Sequence, residues 1–249
     1  MKRTIAPAAM AITAILAIAC GTNSPAAPSA PAPALPIPPP SDPPPLTDQQ
    51  FKDRLEALML GTGPNAQPGN RGCYTDGYAR WTDSLNTMRI VLSNKTSERQ
   101  RAEVRSVFEM YREILGGRPN LQEELVDVIP PFPTFVARPT TGMMTVDVVS
   151  DLSFCGPGAV YGCASGAGPD STISSGSIWI RTGAPDASAS HEAGHMIGMC
   201  HIIGIGALTS IMSGATSPTS LDRRVIEAVV GSGLKPGATR ADFVAKGLL

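Results

Sequence analysis

The stretch His191-Glu192-Ala193-Gly194-His195-Met196-Ile197-Gly198-Met199-Cys200-His201 holds all three histidines of a 249-residue chain at spacings that suit one metal ion. On a helix, residues four apart share a face, so His191 and His195 can aim ring nitrogens at one point. Glu192 is one step round the helix, too far to coordinate but near enough to touch a water held by that metal, where a carboxylate can act as general base. Gly198 can take the left-handed conformation that turns a chain at a helix C-terminus, and the turn swings His201 back as a third ligand. Three neutral imidazoles with one open position describe a catalytic zinc site, whereas structural zinc is usually closed by four ligands rich in cysteine. The bland alternative is an amphipathic helix that happens to carry two histidines. Gly198 and His201 at their fixed positions count against it.

Downstream, Thr209-Ser210-Ile211-Met212-Ser213-Gly214 places Met212 eleven positions after His201. Together these residues resemble the metzincin metallopeptidases, whose pattern is H-E-x-x-H-x-x-G-x-x-H followed by a tight turn carrying a methionine beneath the zinc. The resemblance implies one Zn2+ per chain, held by His191, His195 and His201, with Glu192 as the catalytic residue and Gly198 and Met212 as structural support. It also implies an α+β catalytic domain: a mixed twisted sheet with a long helix and the zinc-binding helix, and a C-terminal helix after the methionine turn. Two features depart from the better-known families. Ile202, after the third histidine, fits none of the commoner ones. No tyrosine follows Met212, so no tyrosine ligand or oxyanion stabiliser is expected. The short span from His201 to Met212 is more similar to matrixins than to astacins or serralysins, which leaves subfamily and substrate open.

Outward from this centre, the pattern predicts the supporting elements. Met88, Ile90 and Leu92 alternate as in a strand. Ser97 with Gln100 opens a long helix with Val104, Val107, Phe108, Tyr111 and Leu115 at helical spacing, ended by Gly116-Gly117. Phe132 to Arg138 and Met143 to Val149 read as further strands. Gly176-Ser177-Ile178-Trp179-Ile180-Arg181-Thr182 is the last strand before the histidine helix. In metzincins the strand in that position is the sheet edge that pairs with an extended substrate, and the alternative is a strand paired on both sides within the domain. Asp186 or Ser188 can cap the histidine helix. Ser217-Pro218 is expected to open a final helix with Leu221, Val225, Ile226 and Val229 on one face and Gly231 at its end.

The N-terminal fifth is different in kind. Lys2 and Arg3 precede an uncharged, mostly apolar run from Ile5 to Ala19, which reads as an export signal. Ala17-Ile18-Ala19-Cys20 resembles a bacterial lipobox, in which the cysteine is acylated. An ordinary signal peptide with an incidental cysteine, or a membrane span, are the alternatives. Gly21 lacks the aspartate that retains many lipoproteins at the inner membrane, so an outer-membrane or cell-surface location is expected. Residues 22 to 46 are dominated by Pro, Ala and Ser, a semi-rigid extended spacer that cannot bury a core. Thr47 with Gln50 then caps a helix carrying Phe51, Leu55, Leu58 and Met59 and closed by Gly61, followed by a long loop to residue 80 containing Cys73. The expected organisation is a lipoprotein signal peptide (1–19), a linker headed by lipidated Cys20 (20–46), an N-terminal helix and loop (47–83) and the catalytic domain (84–249).

Composition narrows the partners. With 42% hydrophobic and 16% charged residues the chain can build a sizeable core. Its formal net charge of −1 and the lack of a basic run point away from nucleic acid, and the only membrane contact expected is the lipid anchor. A monomer acting on a protein or peptide substrate is the working picture. Four cysteines remain after Cys20, and an even number in an oxidising compartment favours two disulfides with three possible connectivities. Cys155 with Cys163 and Cys73 with Cys200 are preferred. Alternatively, Cys73 resembles the cysteine switch with which some matrixins block their own zinc. The expected function is a zinc endopeptidase. A surface binding or adhesion module on the same scaffold, and a zinc hydrolase of a non-peptide amide, are the alternatives.

Overall fold

The computed structural model describes residues 45–68, 78–81, 85–129, 140–156, 159–168, 171–206 and 208–249. The signal segment, Cys20, nearly all of the Pro/Ala-rich spacer, Cys73 and the strand expected at 132–138 lie outside the described residues. Pro45 to Leu249 forms one compact unit.

Its elements follow in order: α1 (Asp48–Leu60), β1 (Arg80–Trp81), β2 (Thr87–Ser93), α2 (Glu98–Ile114), β3 (Asn120–Val126), β4 (Met143–Val149), β5 (Gly162–Ala167), β6 (Thr172–Ile173), β7 (Ser175–Arg181), α3 (Ser188–Met196), α4 (Ser220–Gly231) and α5 (Arg240–Ala245). Two of the helix starts follow directly from sequence. Thr47 and Ser97 each accept from the backbone N–H three residues on, while Gln50 and Gln100 reach back to the cap, so two orphan donors are satisfied at each helix start. Gly61, at φ 63°, ends α1 in the left-handed conformation a glycine takes without steric cost.

A five-stranded mixed sheet runs in the order β3-β2-β4-β7-β5, and β1 pairs with β6 in a separate two-stranded ladder. Strands β3, β2, β4 and β7 are parallel, and β5 is antiparallel to β7. The three inner strands carry the apolar runs, with Met88, Ile90, Met144, Val146, Ile178 and Ile180 buried. They pack into one continuous core with Leu55 and Leu58 of α1, Val107 and Phe108 of α2, Val225 and Val229 of α4 and Phe243 of α5. The whole is an α+β arrangement, with five helices among the described residues.

Three expectations are corrected here. The strand before α3 is not the sheet edge: β7 is paired on both sides, with β4 along Met144↔Gly176 to Val149↔Arg181 and with β5 along Gly162↔Ile180 to Ala167↔Ser175. The edge on that side is β5, whose sequence Gly-Cys-Ala-Ser-Gly-Ala carries no large apolar residue and so no period-2 signal. The helix after Met212 starts later than Ser217-Pro218, because Thr219 and Asp222 form its capping box. It is also not the last. Helix α5 follows, fixed by the buried Phe243 ring set edge-on to Tyr78 at 5.9 Å and by Arg240 pairing with Glu56 of α1 at 2.8 Å. Strand β3 escaped notice for the opposite reason to β5. It is polar and exposed, held to its neighbours by Arg89–Glu124 and Arg105–Glu123 ion pairs.

A candidate metal centre

Glycines at its contacts let helix α3 pack closely against its neighbours. A β-carbon at Gly176 of β7 would overlap the Met196 side chain, and one at Gly194 would lie 2.5 Å from Met212 Sδ. The helix therefore rests between the sheet and the short 3-10 turn Ile211–Ser213, in which Met212 is buried. Neither Asp186 nor Ser188 caps it. The cap residue is Ala187, in a left-handed conformation at φ 75°, without a side-chain cap bond. The buried carboxylate of Glu103 on α2 instead accepts from the Ala187 N–H at 3.3 Å, placing a negative group at the positive end of α3, while Asp186 pairs with Arg99 at 2.7 Å. Ser190 adds a tie by donating to the Ala215 carbonyl at 2.9 Å.

At the other end, Gly198 turns the chain at φ 95°, packed so tightly that a β-carbon would overlap the Ala79 carbonyl oxygen. The segment beyond is stitched to the N-terminal part of the unit. The Cys200 N–H donates to Leu58 O at 2.6 Å, Ile203 N–H to Asn65 O at 2.8 Å, and Asn65 Nδ2 to Ile203 O at 3.1 Å, around an antiparallel bridge between Ala66 and Ile202. His201 is thereby carried back to α3.

The outcome is a convergence of all three histidines. His201 Nε2 lies 3.0 Å from His191 Nε2 and 3.1 Å from His195 Nε2, and the three ligand atoms fit within 4.8 Å of one another. His195 Nδ1 is 2.8 Å from the Met199 carbonyl, which can only accept, so its proton sits on Nδ1 and Nε2 keeps a lone pair facing the cluster. The Ile211 backbone partly offsets the effect of burial on the His191 ring. Burial holds all three imidazoles neutral. It pushes His191 down to about 4 and, with the neighbouring rings, His195 well below the ordinary range, and it lowers His201. Such a cluster of neutral nitrogen donors could hold a metal ion.

Glu192 is buried beside this cluster, and desolvation raises its carboxyl to about 8. Its side chain reaches across to β5, where a β-carbon at Gly162 would come within 2.8 Å of it. Glu192 and the three histidines share one cleft of about 690 Å³, bounded on one side by Tyr161, Gly162 and Ala164 and on another by Gln67 and Pro68. Cys155 and Cys163 border it as well and are joined in a disulfide with 6.3 Å between their Cα atoms. Cys200 is also disulfide-bonded, and its partner lies outside the described residues, as does Cys73. The candidate residues His191, Glu192, His195, Gly198, His201 and Met212 are thus assembled in one place. Sequence reasoning missed Gly162, Glu103 and Asn65, which carry no motif. It also missed Asp222, whose cap spacing from Thr219 is visible in the sequence. No protein-family model matches this chain, and a search among curated proteins finds no match to it.

Proposed function

We propose that the protein is a zinc-dependent endopeptidase of the metzincin type, with His191, His195 and His201 holding the metal and Glu192 moving the protons. The carrying observation is the meeting of three neutral imidazole nitrogens and one buried carboxylate in a single open cleft. The donor set suits zinc. Nε2 separations of 3.0 and 3.1 Å are close to the edge, roughly 3.3 Å, of a tetrahedron with zinc–nitrogen bonds of about 2.0–2.1 Å. Zinc, when bound, supplies a Lewis acid that polarises a carbonyl and acidifies water.

The chain's own residues supply the rest. Glu192 lies in the same cleft as the three histidines, so its carboxyl is placed to accept a proton from an attacking water and deliver it to a departing amine. Burial raises it in the metal-free site, and a cation held by the histidines would lower it again toward the ionised base. Strand β5 takes the edge role expected of the preceding strand in metzincins. No further strand pairs with it among the described residues, and Gly162, Cys163 and Ala164 border the cleft. An extended peptide can add to such an edge. Retention of Glu192 favours an enzyme over a binding module on the same scaffold, since a module could keep the metal without the base.

The deciding experiment is a peptide-library digest with residues 47–249 beside Glu192→Ala, with metal analysis of both and of the three His→Ala variants. The expected result is about one zinc per wild-type chain, a sharp loss in each histidine variant, and full zinc with turnover reduced about 10²–10⁴-fold in Glu192→Ala. Wild-type cleavage rates in Glu192→Ala would overturn the mechanism. We also propose export and lipid anchoring through Cys20. Fatty-acid labelling that survives Cys20→Ala would refute the anchor.

A further inference from the structure

We infer that Asp222 of α4 is a positioning residue for the metal centre, holding the methionine turn in the one arrangement that orients His191. The inference rests on the metal-binding reading above. Asp222 is fully buried, and no apolar-core function explains a carboxylate there. Its Oδ1 accepts from Ser210 Oγ at 2.5 Å, and its Oδ2 accepts from the Ile211 N–H at 3.1 Å and the Thr219 N–H at 2.8 Å. Ser210 Oγ in turn accepts from the Met212 N–H at 3.0 Å. One carboxylate therefore satisfies, directly or through one hydroxyl, donors of three successive turn residues, Ser210, Ile211 and Met212.

Those residues face the site. The Ile211 backbone acts on the His191 ring, favouring its protonated form, and Ile211 and Met212 both pack against Gly194, one residue before His195. Groups that fix a ligand's ring from behind typically alter metal affinity about 10–100-fold when lost. The alternative is that Asp222 serves only as the third residue of the α4 capping box. Asp242 provides the matched comparison. It caps α5 in the same way, accepting from Thr239 N–H at 2.7 Å and Thr239 Oγ at 2.8 Å, and among the described residues its side chain bonds nothing outside that cap.

The test compares Asp222→Asn, Ser210→Ala and Asp242→Asn in the full chain. Zinc affinity is read by competition with a chromophoric chelator, and geometry by the visible absorption of the cobalt(II)-loaded protein. An asparagine at 222 keeps the shape but turns an N–H₂ toward one of the turn's own donors. The expected result is a 10–100-fold loss of zinc affinity and an altered cobalt spectrum in Asp222→Asn, a smaller loss of the same kind in Ser210→Ala, and values within twofold of wild type in Asp242→Asn. Should Asp222→Asn fail to fold, Ser210→Ala alone carries the comparison. The inference is overturned if the folded Asp222 and Ser210 variants match wild type in both readouts, or if Asp242→Asn loses affinity equally. A wild-type chain that binds neither zinc nor cobalt overturns the metal reading itself, and this inference with it.

Discussion

Gly162 of β5 faces the carboxylate of Glu192 so closely that a β-carbon there would stand 2.8 Å from Oε1. The edge strand therefore sets the position of the proposed base, and the smallest residue is required opposite it. Gly162→Ala should push Glu192 aside, lowering kcat about tenfold or more while zinc content stays at the wild-type value, because the atoms nearest the added methyl all belong to Glu192. Steady-state kinetics with metal analysis on the same preparation checks this. Unchanged kcat would mean that Glu192 is free to adapt.

Gly198 carries two demands at once, a φ of 95° and contact with the Ala79 carbonyl. Gly198→Ala should cost more than the roughly 1–2 kcal/mol of a left-handed alanine, because backbone must also move. The motion displaces the segment that bears His201. Thermal unfolding with zinc-competition measurements should show a lowered Tm together with weakened zinc binding.

Stability of the metal-free protein should respond to pH in two opposed arms. Burial holds His191 down at about 4, so from the ordinary 6.5 down toward 4 the unfolded chain binds a proton that the folded chain does not. Stability falls as pH is lowered through that window. Glu192 is held up at about 8, so between the ordinary 4.5 and 8 the folded chain keeps a proton that the unfolded chain has released. Stability falls as pH is raised through that one. Metal-free Glu192→Gln should lose the alkaline arm and keep the acid arm, as urea titrations from about pH 4 to pH 9 would show.

The Ser97 cap makes a local prediction. Its hydroxyl accepts from the Gln100 N–H at 3.2 Å on an exposed helix start, so Ser97→Ala should cost about 1 kcal/mol. Helix α2 reaches the metal centre through Glu103, well inside the helix, so zinc affinity should be unchanged. Denaturant unfolding and chelator competition separate the two effects.

The parts that could be read from sequence were those written in local spacing. The histidine positions, the Thr47 and Ser97 caps and the apolar stripe of α4 each depend on residues within a few positions of one another, and each is found where expected. What escaped was long-range or silent. Strand β5 is built of small residues chosen for approach to α3 and Glu192, so it lacks alternation. Glu103 caps a helix 84 residues away, and its place in an amphipathic helix marks it only as polar. Asp186 sits where a cap belongs but is drawn to Arg99 instead.

The tie between Asn65 and Ile203 spans 138 residues, and Asp222 acts on a turn made before it. As the chain is synthesised, the histidine helix emerges long after its N-terminal strap and ahead of its brace. Early in synthesis the strap has nothing to hold, and later the turn behind His191 lacks its brace until residue 222 is in place. Chain order itself then delays assembly of the centre until most of the fold exists, so a growing or truncated chain carries the motif without the site.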